Sequence, residues 1–182
     1  MVGLAPRRAP LILDIGFGDG EALAIQARQQ PGHNFLGIEV HRPGVGSLLR
    51  KLAADELDNV RVIVGDANEV LRALPDAALA GVHVYFPDPW PKKRHHKRRL
   101  LQAPLVALIV RKLQPGGVLH VATDWADYAE QVLGVCDADP DLDNIAGAGR
   151  FVPRPAARPL TKFERRALAA GRRIRDLQYR RK

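Results

Sequence analysis

The sequence has little that would place it outside the cell or in a membrane. Its only cysteine, Cys136, excludes an internal disulfide and leaves no cysteine-based metal site. No apolar run approaches the ~18 residues of a membrane span, and the first residues lack the apolar stretch of a signal peptide. The histidines show no metal-ligand spacing, and no internal repeat or low-complexity segment is present. We therefore expect a cytoplasmic protein with no metal and no membrane partner.

Positive charge, by contrast, is in excess. Lys and Arg number 28 against 20 Asp and Glu, which gives a net charge of +8 and a pI near 10.1. This balance favours nucleic acid or another anionic surface as the partner. The length of 182 residues and the hydrophobic share of 46% suit a single globular domain over residues 1–182, of which 1–10 form a short basic leader.

Strand-like and helix-like segments alternate along the chain. Apolar runs predict strands at 11–15, 34–39, 60–64, 82–86, 118–122 and 174–179, with a further strand soon after 141. Helices are predicted at 21–30, 43–57, 68–73, from the basic stretch to 113, from an N-cap at Asp124 to 138, and from 161. This rhythm predicts an α/β fold with a mostly parallel sheet and helices on both faces. Ligands of such sheets lie at the carboxyl ends of the strands.

A glycine-rich turn follows the first strand. Gly16, Gly18 and Gly20 allow the backbone to approach a ligand without interference from Cβ atoms. A dinucleotide fingerprint would need a glycine where Glu21 stands, and no Lys-Ser/Thr pair completes a phosphate loop. The three glycines therefore indicate either a site for a ligand without a pyrophosphate or a tight turn that binds no ligand.

Three acids stand at strand ends, where the fold would bring them to one crevice. Glu39 lies near the ~20-residue offset at which an acid takes the hydroxyls of a ribose. Asp66 would lie beside an adenine amino group and Asp14 near an ammonium. A ligand with ribose, adenine and a cationic amino-acid end, but no phosphates, is S-adenosylmethionine. The alternative is that the three acids bind no ligand and are solvated side chains at the ends of strands.

The most unusual stretch runs from 81 to 99. Pro87, Pro89 and Pro91 end the fourth strand and stiffen a loop that carries Asp88 and Trp90. Six of the next eight residues, 92–99, are Lys or Arg. One acid on a rigid loop beside dense positive charge indicates chemistry on a polyanion, although a charge run alone is more often a solvated surface.

Several segments resemble the bacterial tRNA (guanine-N7-)-methyltransferase family. They are Leu-Asp-Ile-Gly-Phe-Gly-Asp-Gly at 13–20, Phe-Leu-Gly-Ile-Glu-Val-His at 35–41, Phe-Pro-Asp-Pro-Trp at 86–90, Ala-Thr-Asp-Trp at 122–125 and Arg-Pro-Leu-Thr-Lys-Phe-Glu at 158–164. The first is generic to class I methyltransferases, whereas the third, with its basic stretch, and the last are more specific. The resemblance implies a Rossmann-like class I methyltransferase fold with seven strands, mostly parallel, of which the last is antiparallel.

The resemblance also implies roles for individual residues. The positions that match cofactor binding are Asp14, Gly16, Gly18, Glu39, Asp66 and Asp88, and Asp88 also serves the active site. The positions that match substrate binding are Lys92, Asp124, Thr161, Lys162, Phe163 and Glu164. The positions that match RNA contact are Arg94, His95, His96, Lys97, Arg98 and Arg99. The implied cofactor is S-adenosylmethionine and the implied substrate is the variable-loop guanine of tRNA.

The chemistry needs no general base, because guanine N7 carries a lone pair and no proton. We therefore assign Asp88 to orienting the guanine and stabilising charge. Trp90 either stacks on a base or packs over the core, and Lys92 pairs with a phosphate or with Asp88. Thr161 and Glu164 also form a capping box, so they begin a helix whatever else they do.

Two other functions stay open at this point. One is a class I methyltransferase that acts on another substrate, and the other is an RNA-binding protein that has lost catalysis. The sequence is compatible with a monomer or a homodimer.

Overall fold

A computed structural model describes residues 9–182, so most of the predicted basic leader lies outside the described residues. The helices and strands follow in this order: β1 (Leu11–Ile15), α1 (Glu21–Gln29), β2 (Asn34–Glu39), α2 (Arg42–Ala54), β3 (Val60–Val64), α3 (Ala67–Ala73), β4 (Leu79–Tyr85), a 3-10 helix (Lys93–Arg98), α4 (Ala103–Lys112), β5 (Leu113–Thr123), α5 (Ala126–Asp137), β6 (Leu142–Asn144), α6 (Lys162–Ala169) and β7 (Arg175–Arg181).

The strands form one seven-stranded sheet in the order β3-β2-β1-β4-β5-β7-β6. Strands β1 to β5 are parallel to one another, whereas β7 runs antiparallel to both β5 and β6. This arrangement confirms the predicted fold class. The strand order reverses between β1 and β4, the place where α/β sheets open a ligand crevice.

Apolar clusters cover both faces of the sheet. The first cluster includes Leu23 of α1 and Leu48 of α2. The second, larger cluster includes Ile109 of α4 and Val132 of α5. On the first face, α2 lies directly against the glycine-rich turn. A Cβ atom on Gly44 would stand 2.1 Å from the carbonyl oxygen of Gly18, so only glycine allows this contact.

The basic stretch differs from its prediction. It forms a 3-10 helix over Lys93–Arg98, and a separate helix, α4, begins at Ala103. Pro104 explains the break, because inside a helix a proline has no N–H to donate and clashes with the carbonyl group four residues earlier, whereas the first turn tolerates it. The consequence is a short basic segment that projects between β4 and α4.

Asp124 is not the N-cap of α5, so that prediction is wrong. The cap residue is Trp125, and the hydroxyl of Thr123 accepts a hydrogen bond from its backbone N–H at 3.2 Å. Asp124 instead forms an ion pair with Arg172 at 2.7 Å.

Candidate active site

A cleft of about 540 Å³ opens at the carboxyl ends of β1, β2 and β4. The glycine-rich turn, the proline-rich loop and the start of α6 form its walls. The residues that line it are Asp14, Ile15, Gly16, Phe17, Gly18, Asp19, Ala22, Glu39, Val40, Tyr85, Phe86, Pro87, Asp88, Trp90, Arg98, Leu100, Thr161 and Phe163. Five of the six predicted cofactor residues and two of the six predicted substrate residues, Thr161 and Phe163, therefore line one cavity.

Among the carboxylic acids of this cleft, Asp14 has the most strongly shifted pKa. Its side chain is buried, and one carboxylate oxygen, Oδ2, has no hydrogen-bond partner. Burial, with a smaller contribution from the negative charge of Glu39, raises the pKa of Asp14 to about 7. A buried acid without a partner is costly, so a cationic ligand group at this position would relieve the cost.

Glu39 fixes the glycine-rich turn. Its Oε2 accepts a hydrogen bond from the backbone N–H of Gly18 at 2.9 Å, and Oε1 accepts from Val40 and His41 at 2.8 and 2.9 Å. A carboxylate has about four lone-pair sites, so roughly one remains for a hydroxyl group. Together Asp14 and Glu39 fit the ammonium and ribose of S-adenosylmethionine, the ligand expected from the sequence.

Asp66 is not among the residues that line this cleft. Its side chain is exposed and accepts a hydrogen bond from the N–H of Asn68 at 2.7 Å, which caps α3. An acid at a helix N-cap is held there by the unpaired N–H groups of the first turn. Its predicted contact with adenine stays a prediction.

Asp88 projects from the loop between β4 and the 3-10 helix. It is exposed at the cleft, and within the described chain its carboxylate accepts no hydrogen bond and forms no ion pair. The loop begins at Phe86 and ends at Trp90, both of which have positive φ, 52° and 43°. Such conformations are costly for these side chains, so the surrounding contacts must hold the loop in place.

The aromatic side chain of this loop is already in contact with the basic segment. The guanidinium of Arg98 lies 5.0 Å from the ring centre of Trp90, and His95 meets the ring edge-on at 5.8 Å. Trp90 also lines the cleft, so both of its predicted roles stay open. Lys92 is exposed and does not pair with Asp88.

The predicted RNA-contacting residues do not share one environment. Arg94, Lys97 and Arg98 are exposed, and His95 and His96 are half-buried. Arg99 is only 2% exposed, and its guanidinium faces inward. Burial sets Arg99 apart from its exposed neighbours, and its predicted RNA contact stays a prediction.

The start of α6 closes one side of the cleft. Thr161 caps the helix by accepting a hydrogen bond from the N–H of Glu164 at 3.3 Å, which confirms the first half of the predicted capping box. The reciprocal half is absent from the described chain, because the Glu164 carboxylate bonds to Arg158. Lys162 forms an ion pair with Asp19, and its backbone N–H donates to Glu21 at 2.8 Å. Although burial opposes it, the hydrogen bond from Lys162 lowers the pKa of Asp19.

Phe163 is exposed and lines the cleft, but Glu164 is 1% exposed and faces away from solvent. The Glu164 carboxylate accepts bonds from Arg158 at 2.5 and 2.9 Å. The Glu164 carboxylate is occupied by Arg158 within the core, and the predicted contact of Glu164 with the substrate stays a prediction.

Arg158 is the site residue for which the sequence carried no role. Its guanidinium joins Glu164 of α6 to Asp176 of β7, at 2.7 and 3.0 Å from Asp176. It also lies 5.7 Å from the ring centre of Phe86, at the start of the Asp88 loop. Arg158 opens the 158–164 segment that resembles the family, but no charge pattern around it indicates a buried cation.

In the part of the chain that the structure describes, no group of three or more acids, histidines or cysteines is placed to hold a metal ion. None of the described helices has the length and apolar character needed to cross a bilayer.

Comparison with known proteins decides the family. Residues 8–177 match a family model described as "Putative methyltransferase". The tRNA (guanine-N(7)-)-methyltransferase of Alkalilimnicola ehrlichii is 58% identical over 97% of this chain and 74% of that protein. The chain belongs to the tRNA (guanine-N(7)-)-methyltransferase family.

Other members of this family are similarly close. The protein of the same name from Thiobacillus denitrificans is 58% identical over 97% of the chain and 77% of its own length. The one from Halorhodospira halophila is 54% identical over 98% and 78%. The family identified from the sequence motifs is therefore confirmed.

Solved structures share the fold at much lower identity. A 16S rRNA methyltransferase, KamB, has a TM-score of 0.70 at 18% identity, covering 94% of this chain and 87% of that one. A SAM-dependent methyltransferase from Aquifex aeolicus has a TM-score of 0.65 at 14% identity, covering 95% and 82%. These likenesses support the class I methyltransferase fold of the family.

Proposed function

We propose that this protein transfers a methyl group from S-adenosylmethionine to N7 of a guanine in tRNA, and that the target is the variable-loop guanine. The observation that carries the proposal is one cleft that holds a buried acid without a partner, Asp14, and an exposed acid, Asp88. Basic side chains stand at its mouth, where Arg98 joins the lining. Relatives at 54–58% identity that carry this activity in their names support it.

The first acid accounts for cofactor binding. S-adenosylmethionine supplies a methyl group activated by a sulfonium. Asp14 would face the ammonium of its amino-acid end, and Glu39 would accept a ribose hydroxyl with its remaining lone pair. The turn at Gly16 and Gly18 has no Cβ atoms to keep a ligand away, and both residues have positive φ.

The second acid acts on the guanine. N7 is a nucleophile without a proton, so Asp88 has no proton to remove. Its carboxylate can accept hydrogen bonds from the N1–H and amino group of guanine, and it stabilises the positive charge that develops on the purine. Holding the purine in place can lower the barrier by several kcal/mol, up to ~7–11 in well-oriented systems.

The basic segment supplies affinity for the phosphate backbone. Lys92, Arg94, Lys97 and Arg98 are exposed beside the cleft and can each neutralise a phosphate. Partnership with tRNA also supports a cytoplasmic location. One continuous sheet supports treating 1–182 as one domain, acting as a monomer or a homodimer.

Incubation with unmodified tRNA and methyl-labelled S-adenosylmethionine tests the proposal. The cationic purine product is cleaved after reduction and aniline treatment, so strand scission should map to the variable loop. Asp88→Asn should abolish turnover and leave tRNA affinity within a few-fold of wild type. Binding of tRNA without labelling would favour an RNA-binding protein, and label in another substrate class would favour a different methyltransferase.

A further inference from the structure

Arg99 ends the basic segment but differs from its neighbours. Arg94, Lys97 and Arg98 extend into solvent, whereas the side chain of Arg99 is 1% exposed. Burying a guanidinium requires that its donors be satisfied. The partners it uses therefore indicate what the residue does.

All three nitrogens of this guanidinium have partners. Nε donates to the carbonyl oxygen of Pro89 at 2.8 Å, and Nη1 donates to Gln131 Oε1 at 2.7 Å. Nη2 donates to Asp127 Oδ2 at 2.5 Å and lies 3.1 Å from His96 Nε2. The group also lies 5.0 Å from the ring centre of Tyr128, so α5 supports it on one side.

The contact with Pro89 is the one that matters for the site. Apart from the bond that the N–H of Phe86 donates to the carbonyl oxygen of Ala122 at 2.7 Å, it is the only hydrogen bond that residues 86–91 of the described chain make. Three of these six residues are prolines, which have no N–H to donate. Phe86 and Trp90, on either side of Asp88, have positive φ, so the geometry of the loop depends on outside contacts.

We propose that Arg99 is a positioning residue that fixes the Asp88 loop against α5, rather than a contact for RNA. The inference rests on the proposed function of that loop. Asp127 and Gln131 orient the guanidinium, which in turn holds the carbonyl group that follows Asp88. The segment at 94–99 thus divides into an outward part that faces RNA and an inward part that holds the active-site loop.

The two interpretations predict opposite kinetics. If Arg99 positions the loop, Arg99→Lys should lower kcat at least about tenfold. A single ammonium cannot bond Pro89, Gln131 and Asp127 as the three guanidinium nitrogens do, and small displacements of a reacting group lower rates steeply. The KM for tRNA should stay within about twofold, since uniform binding is retained. The salt dependence of tRNA binding should be unchanged.

Lys97→Ala is the matched control, because Lys97 is two residues away, exposed and not among the residues that line the cleft. It should raise the KM for tRNA and reduce the log–log salt slope by about 0.7–0.9, the loss of one phosphate contact. The proposal would be overturned if Arg99→Lys raised the KM for tRNA and reduced the salt slope while leaving kcat unchanged.

Asp127→Asn tests the positioning chain without touching the loop or the cleft. The Asp127 side chain is 61% exposed, so the variant should fold. Removing an acid next to a basic segment should favour RNA binding on charge alone. Positioning predicts instead a fall in kcat in the same direction as Arg99→Lys, and an unchanged or higher kcat would contradict it.

A fluorescence measurement separates this proposal from the function itself. The chain has two tryptophans, so Trp125→Phe leaves Trp90 of the loop as the single reporter. In that background, Arg99→Lys should make Trp90 more accessible to acrylamide quenching, with no substrate or cofactor present. Equal quenching with and without the substitution would overturn the proposal, whereas failure of the wild type to methylate tRNA would reject only the function.

Discussion

Replacing Asp14 by asparagine should stabilise the protein without ligand and weaken cofactor binding. The Asp14 side chain is buried, and its pKa is raised from 3.8 to about 7, mainly by burial. A raised pKa means that folding favours the protonated carboxyl. The stability this provides is fully present below pH 3.8 and is lost as the pH rises through about 7.

The size of this effect follows from the two pKa values. A difference of about 3 corresponds to roughly 4 kcal/mol of unfolding free energy, an upper bound because water in the cleft hydrates the carboxylate. The Asp14→Asn variant has no charge at this position, so its stability relative to wild type should increase between about pH 4 and pH 7 and stay level above about pH 8. Urea denaturation of both proteins across this range measures the difference, and a constant difference would refute the reasoning.

The same substitution should weaken binding of the cofactor, because a carboxamide does not neutralise an ammonium. Calorimetry with S-adenosylmethionine and with S-adenosylhomocysteine provides the control, since both ligands carry the ammonium but only the first carries the sulfonium. Equal losses of affinity are expected for the two ligands. A loss confined to S-adenosylmethionine would place Asp14 at the sulfonium instead.

Two further substitutions test the walls of the cleft. Arg158→Met removes the buried cation that Glu164 and Asp176 share, and leaves Glu164 with Arg154 and Asp176 with His120. The loss should cost up to about 3–5 kcal/mol. Urea denaturation at neutral pH measures this cost, and wild-type stability would show that the buried network is not needed. Glu39→Gln turns one acceptor into a donor against the N–H groups of Gly18 or Val40, an expected cost of about 1–3 kcal/mol. Its affinity for S-adenosylmethionine should fall as well, and unchanged calorimetric binding would contradict the assigned hydrogen bonds.

The sequence predicted the sheet well because alternating apolar strands and short connections leave few other arrangements. It also placed Asp14, Glu39 and Asp88 at strand ends, where the topology brings them to one cleft. What it could not resolve was the direction of side chains within charged or polar segments. Charge patterns do not distinguish Arg98, which is exposed, from Arg99, which is buried.

The same limit explains the other errors. Glu164 follows a capping pattern, but its carboxylate turns to Arg158, which no local pattern marks. Asp124 stands where an N-cap is expected, yet Trp125 is the cap residue and Asp124 pairs with Arg172 from the far end of the chain. Contacts between distant segments decide these positions, and local propensity does not report them.

The most direct test of the proposed chemistry changes a single atom of the substrate. A tRNA in which the variable-loop guanine is replaced by 7-deazaguanine keeps the Watson–Crick edge available to Asp88 but has carbon in place of N7. With labelled S-adenosylmethionine, the unmodified tRNA should accept the methyl group and the 7-deaza tRNA should accept none, while both bind with similar affinity. Equal labelling of the two tRNAs would contradict methyl transfer to N7.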